Sequence, residues 1–152
     1  MVNSVFTLNK LSADFYRDYN PLDYPEIECK QDRPYLVMIV KIENNTFALP
    51  FRTNIKHNSC YKFKNTTRKT NSSTGIDFSK AVIVNYPNYI GDTTMIDNKE
   101  YVELSNKYYF IINKFKSYLN SYIKFCQKDG NQYLQKRYQY TTLKYFHKEL
   151  GI

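Results

Sequence analysis

One short stretch concentrates the side chains that could act on a phosphate. Pro50-Phe-Arg-Thr-Asn-Ile-Lys-His-Asn58 supplies two permanent cations (Arg52, Lys56), two neutral hydrogen-bonding groups (Thr53, Asn54) and an imidazole, His57. These are the parts needed to cut RNA without a metal. A 2′-hydroxyl must lose a proton, the phosphorus gains negative charge, and the leaving 5′-oxygen must be protonated. Cations and hydroxyl donors stabilise the phosphorane over the ground state by about 3 kcal/mol per well-placed donor. Imidazole is the side chain that changes charge nearest neutral pH, and a positioned acid or base speeds such a step by roughly 10²–10⁴. The same groups also hold a phosphate without cutting it. For His57 alone, a surface or supporting role competes with catalysis.

The charge pattern points to a polyanion. The chain carries a net charge of +8 over 152 residues, unevenly spread. Residues 52–76 hold Arg52, Lys56, Lys62, Lys64, Arg68 and Lys69 with no acid, and residues 107–152 hold nine Lys/Arg against Asp129 and Glu149. Residues 1–32 and 77–106 are acidic. Basic blocks this pure are an electrostatic footprint for nucleic acid, against the plainer reading of a solvated surface. Tyr and Phe are abundant, at 16 and 10, but an AT-rich genome also raises Tyr, so position counts for more than number.

Other chemistries find no support in the residues. No glycine-rich phosphate loop is present. His57 and His147 are far apart, and Cys29, Cys60 and Cys126 show neither C-x-x-C pairing nor metal-ligand spacing. A metal site, a cofactor and a disulfide framework are therefore not expected. The start, MVNSVFTLNKL, lacks the pattern of a signal peptide, and no run approaches the ~20 apolar residues of a membrane span. A cytoplasmic protein with no membrane partner is the expectation.

The elements that must carry these groups are legible in outline. Val5–Leu8 reads as a strand, and Ser12 caps a helix reaching about Tyr19. Tyr35–Ile42 is a β-branched strand, which turns at Asn44-Asn45 into Thr46–Pro50 as a hairpin. Tyr61–Lys64 alternates apolar and basic, and residues 65–74 form an exposed loop. Gly75 permits the turn out of it, and Ile76–Val84 returns to strand. From Lys99 to Lys128 the apolar residues Leu104, Tyr108, Ile111, Ile112, Phe115, Leu119, Tyr122, Ile123 and Cys126 trace one helical stripe. Gly130 closes that helix, and 131–149 reads as another. The order gives a single α+β domain over 1–152, an antiparallel β module followed by a helical last third.

Arg33-Pro-Tyr-Leu-Val-Met-Ile-Val-Lys-Ile42, Phe47-Ala-Leu-Pro-Phe-Arg-Thr-Asn-Ile-Lys-His57 and Gly75-Ile-Asp-Phe-Ser-Lys-Ala-Val-Ile-Val84 resemble the toxins of type III toxin–antitoxin systems. The likeness is to the ToxN/AbiQ group and its CptN-like branch. It covers residues 33–84 and the helical tail only in outline. It implies a compact, highly curved antiparallel β core similar to Kid and MazF, with peripheral helices. It implies a metal-independent endoribonuclease leaving 2′,3′-cyclic phosphate and 5′-hydroxyl ends. The implied inhibitor is a repetitive RNA that the toxin processes and then holds in a closed toxin–RNA hetero-oligomer. Cellular mRNA is the implied target, and phage defence by growth arrest, or abortive infection, is the implied role.

Carried over residue by residue, the family's basic residue before the long strand falls on Arg33. Its hydroxyl three positions after the strand-end proline falls on Thr53, and its Lys and His fall on Lys56 and His57. Two departures stand out. Arg52 replaces the first of two adjacent hydroxyl residues, and Asn54-Ile55 replaces Pro-Lys. The principal catalytic cation is thus Lys56, Arg52 or Arg33, with Asn54 beside them. An upstream tyrosine of some members corresponds to Tyr19 or Tyr24. Asp77 is either a carboxylate that orients a cation or a plain cap. The RNA surface is expected to include Lys41, Lys62, Lys64, Arg68, Lys69, Lys80, Lys114, Lys116, Lys124, Lys136 and Arg137 as phosphate contacts, with Tyr61 stacking an unpaired base. The other readings are a non-catalytic RNA-binding module and a MazF-type ribonuclease paired with a protein antitoxin.

Overall fold

A computed structural model describes residues 6–27, 35–67, 74–127 and 132–152. Arg33, Arg68, Lys69, Cys29, Gly130 and the expected start of the first strand at Val5 lie outside them. Within them the protein is an α+β fold with an antiparallel sheet and a helical C-terminal portion.

The hairpin expected from the β-branched run is the spine. Strand β2 (Leu36–Ile42) pairs antiparallel with β3 (Asn45–Thr53) from Val37↔Pro50 to Ile42↔Asn45. The turn between them is Glu43-Asn44, one residue earlier than expected, with Glu43 at φ 56, and β3 runs past Pro50 to Thr53. On the far side of β2 lies β1 (Thr7–Leu11), which also pairs with β7 (Ile90–Thr93). Beyond β3 lie β5 (Thr74–Asp77) and β4 (Cys60–Lys62), while β6 (Val82–Ile83) pairs with Phe47 and Ala48.

Consecutive residues are buried along these strands: Val37 with Met38, Phe47 with Ala48 and Leu49, and Val82 with Ile83. Because successive side chains point to opposite faces, both faces of this part of the sheet are covered. On one face Phe47 packs against Phe115 of helix α3 (Tyr108–Gln127), ring centroids 5.3 Å apart. On the other, Val37, Ala48 and Val82 meet Ile27 and Thr142 around a void of only ≈10 Å³.

Other sequence expectations change as well. The Ile76–Val84 strand is interrupted: the Asp77 side chain accepts the Ser79 N–H, and Phe78–Lys80 becomes a 3-10 turn. The helix expected from Lys99 to Lys128 is two helices, α2 (Asn98–Asn106) and α3, parted at Lys107. The 131–149 helix is three short pieces: α4 (Gln132–Arg137), a 3-10 turn at Thr142–Tyr145 and α5 (His147–Leu150). Thr141 and Thr142 make the break. Thr141 caps the second piece, and Thr142 Oγ1 donates to the carbonyls of Ser79 and Ala81. Lastly, the strand β7 and the 3-10 turn Pro87–Tyr89 before it were not anticipated. Helix α1 (Ala13–Asp18) is capped by Ser12, as expected. Among the described residues no helix is long and apolar enough to cross a membrane.

Helix α2 anchors the segment after β4. Glu103, 7% exposed, accepts the Tyr61 hydroxyl at 2.5 Å and the backbone N–H groups of Lys64 at 2.9 Å and Asn65 at 2.8 Å. Glu100 takes the Thr66 hydroxyl at 2.7 Å. Asp97, the N-cap of α2, takes the Thr67 N–H at 3.1 Å. Truncating Glu103 strands several buried donors. Glu103→Ala should therefore lower the unfolding free energy by about 2–4 kcal/mol in urea titrations. Glu103→Gln, which keeps an acceptor, should lose less.

Candidate active site

The turn after β3 is built by backbone conformation and one apolar anchor. Asn54 adopts φ 59, a left-handed conformation that Asn tolerates better than most residues. Ile55 then tucks in at 6% exposure, which leaves Lys56, His57 and Asn58 at the surface. The chain returns through buried Ser59 and Cys60 into β4. Across the sheet Arg52 faces Gly75, and Cys60 faces Asp77. Arg52 is thus diagonal to Asp77, within reach of a long side chain on the same face. Gly75 lies inside β5, not at a turn into it. A Cβ there would collide with the Tyr61 carbonyl oxygen and come within 2.9 Å of the Lys62 Cα, so glycine is what lets β4 close on β5.

Asp77 is fully buried and gathers the site. Its Oδ2 accepts from Arg52 Nη1 at 2.8 Å. Its Oδ1 accepts the Ser79 N–H at 3.0 Å and the Ser79 hydroxyl at 2.6 Å, and faces His57 Nε2 at 3.2 Å. Burial pushes the carboxyl up. The hydrogen bonds from His57, Ser79 and Arg52, with the His57 charge, outweigh it and hold Asp77 below the usual carboxylate range. On the other edge of the imidazole, Nδ1 accepts the Ser59 N–H at 3.1 Å. That bond assigns the neutral ring's proton to Nε2, where it points at Asp77. The His57 side chain is 41% exposed and Arg52 27%.

An open cleft of ≈680 Å³ lies against this network, lined by His57, Asn58, Ser59, Ser79, Lys136, Arg137 and Tyr140. The C-terminal portion supplies its second wall. Arg137 donates from Nε to the Ser59 hydroxyl at 3.3 Å, and its guanidinium lies over the rings of Tyr118 at 5.2 Å and Tyr138 at 5.3 Å. The aromatic faces hold the cation while leaving its edge toward the cleft. One imidazole, two cations and several hydroxyls therefore share one concave surface.

Of the expected catalytic residues, Arg52 and His57 come together through Asp77, and Lys136 and Arg137 join His57 in the cleft. Thr53, at the end of β3, and Asn54 and Lys56, on the turn after it, are exposed but do not line the cleft. Lys41 and Lys116 flank a separate ≈230 Å³ pocket at the hairpin end of β3. Lys62, Lys64, Lys114 and Lys124 are exposed, as phosphate contacts would be.

One assignment is corrected. Tyr61 is 6% exposed and spends its hydroxyl on Glu103, so its ring is core and not a base platform. Lys80 is tied to the carbonyls of Glu26 at 3.1 Å and Tyr140 at 3.2 Å, where it fastens the cleft wall. Tyr19 and Tyr24 sit away from the cleft in an aromatic cluster with Phe146 and Tyr145. Burial, with the Glu149 charge, pushes the Tyr19 phenol up to about 12. Sequence reasoning missed Ser59, Ser79 and Tyr140. The Asp77-Phe-Ser79 triplet, in which a carboxylate takes both donors of a serine two residues on, was the available signal for Ser79.

No protein-family model matches the chain, and no curated protein or solved structure matches it either. Among the described residues no three His, Cys, Asp or Glu side chains gather as metal ligands would.

The depressed Asp77 carboxyl has a consequence for acid stability. Its folded value lies below its unfolded one, so its contribution is complete above about pH 4 and is lost as pH falls through the folded value. Chemical denaturation from about pH 7 down to about pH 2 should show that loss at the acid end in the wild type. In Asp77→Asn the neutral-pH stability should be lower and the acid slope shallower.

Proposed function

We propose that this chain is a metal-independent endoribonuclease that cuts single-stranded RNA, with His57 as its proton-transfer group. The observation that carries the proposal is an imidazole oriented by a buried carboxylate at the wall of a cation-lined cleft. In the proposed step the 2′-oxygen attacks the adjacent phosphorus, the P–O2′ bond forms and the P–O5′ bond breaks. The 2′-hydroxyl proton passes to His57 Nδ1, where it displaces the Ser59 N–H. Asp77, still bound at Nε2, stabilises the imidazolium that results. Arg137 and Lys136 take the charge developing on the phosphorane. Water protonates the departing 5′-oxygen, and His57 returns its proton to solvent. The products are a 2′,3′-cyclic phosphate and a 5′-hydroxyl.

The sequence likeness of residues 33–84 supports the wider part of the proposal: a type III toxin, working in the cytoplasm, whose antitoxin is a repetitive RNA that it processes and holds in a closed assembly. One observation favours a second reading. Both His57 nitrogens are already engaged, as they would be in a module that binds RNA without cutting it.

Incubating the protein with a cellular RNA pool separates the two. The nuclease yields cyclic-phosphate and 5′-hydroxyl ends that persist in EDTA, and His57→Ala lowers the rate by roughly 10²–10⁴. RNA that is retained on the protein but stays intact would move the assignment to the binding module.

A further inference from the structure

Near the start of α3 two large aromatics stand in solvent: Tyr109 is 72% exposed and Phe110 59%. Phe110 is braced edge-on against buried Tyr61, ring centroids 6.1 Å apart, so its orientation is set while much of the ring stays free. About one turn away, a groove of ≈470 Å³ is lined by Asn65, Val102, Asn106 and Lys107 among others. Glu103 lies in its wall and, like Glu100 and Asp97 of α2, hydrogen-bonds the segment 64–67, while Lys99 and Lys107 stand exposed at its rim.

The surface between this patch and the cleft is also cationic. Phe110, Lys114 and Tyr118 are spaced four residues apart on α3, a run of ~12 Å, and Arg137 of the cleft lies over Tyr118. Lys62 follows Cys60 by two residues on β4 and so projects to the same side of that strand; burial and the Asp77 charge raise the Cys60 thiol, against the ammonium groups of Lys62 and Lys114. Cys60 in turn donates to the His57 carbonyl at 3.2 Å. Cations therefore mark a line from His57 to Phe110.

We infer that a single-stranded RNA leaving the His57–Arg137 cleft runs along this line, its phosphates on Lys114 and Lys62, and stacks an unpaired base on Phe110 beside the Lys107 groove. This rests on the proposal that the chain acts on RNA, and it names where the strand goes beyond the cut. Aromatic rings interleaved with lysines suit single strands, because every base has a face to stack and every nucleotide a phosphate to pair. A duplex hides those faces.

The test is fluorescence anisotropy with a mixed-sequence, 2′-O-methylated single strand of about twelve nucleotides, which cannot be cut at its blocked 2′-oxygens. Phe110→Ala should weaken its binding about tenfold, Phe110→Tyr should bind as the wild type, and Lys114→Ala should lower the salt slope by about one. Binding of the same sequence as a duplex should not respond to Phe110→Ala. If the wild type binds the single strand and Phe110→Ala binds it equally well, the track is wrong while the nuclease proposal stands, and the patch belongs to another kind of partner. An equal loss on the duplex also overturns stacking. A wild type that binds no RNA overturns both.

Discussion

A carboxylate with no exposure to water is costly, because the hydration it gives up is worth several kcal/mol even after the protein relaxes around it. Asp77 is such a group, and the region around it is arranged to meet that cost. Arg52 comes from the end of β3, His57 from the turn that follows, and both Ser79 donors from the 3-10 turn two residues on. Each partner belongs to a different piece of backbone, so satisfying one carboxylate fixes the strand end, the turn that carries His57 and the start of the next segment relative to one another. Gly75 is part of the same constraint. Only a residue without a side chain lets β4 lie close enough to β5 for Cys60 to face Asp77.

The same principle explains the charge pattern. The acidic stretch 77–106 looks in sequence like a counterweight to the basic blocks. In the fold four of its five acids bond to the very segment that carries the first basic block. Asp77 takes Arg52 and His57, while Asp97, Glu100 and Glu103 take backbone and hydroxyl donors from residues 61–67. The acids are spent on N–H and O–H groups more than on ammonium groups. Lysines 56, 62 and 64 stand exposed at the surface, where a polyanion could reach them.

Local patterns were legible in the sequence, and long-range ones were not. The hairpin followed from β-branched residues between turn signals, and α3 from the spacing of Ile111, Phe115, Leu119 and Tyr122. The kink at Lys107 left no trace in that spacing. Lys107 N–H still reaches the Glu103 carbonyl, and the Ile111 N–H reaches the Lys107 carbonyl, so the apolar period runs through the break. The C-terminal pieces were hidden for a different reason. Thr141 and Thr142 are tolerable in a helix, and only the carbonyls of Ser79 and Ala81, some sixty residues away, draw Thr142 out of one. Tyr61 shows the limit most plainly. An aromatic beside lysines reads as a stacking platform, and nothing local reveals the Glu103 carboxylate that claims its hydroxyl. The site divides the same way. Arg52 and His57 could be picked by type and spacing, but their joint dependence on Asp77, and the approach of Arg137 from the other end of the chain, required the fold.

The two contacts of His57 differ in a way that bears on chemistry. At Nε2 the partner is a buried carboxylate, so separating them would leave a charge in a dry site short of one donor. At Nδ1 the partner is a neutral backbone N–H on the turn, at the edge of an open cleft. A hydrogen bond there exchanges for one to water or substrate at a net difference of about 1 kcal/mol. The ring is therefore anchored on one side and releasable on the other. A proton delivered to Nδ1 also turns the Nε2–H···Asp77 bond, already charge-assisted by the carboxylate, into one with both partners charged, which strengthens it as the imidazolium forms. Under the proposed mechanism Nε2 stays with Asp77 and Nδ1 is the nitrogen that takes the proton. An imidazole with both nitrogens engaged at rest is in this case compatible with catalysis, since the weaker bond is the one the reaction would replace.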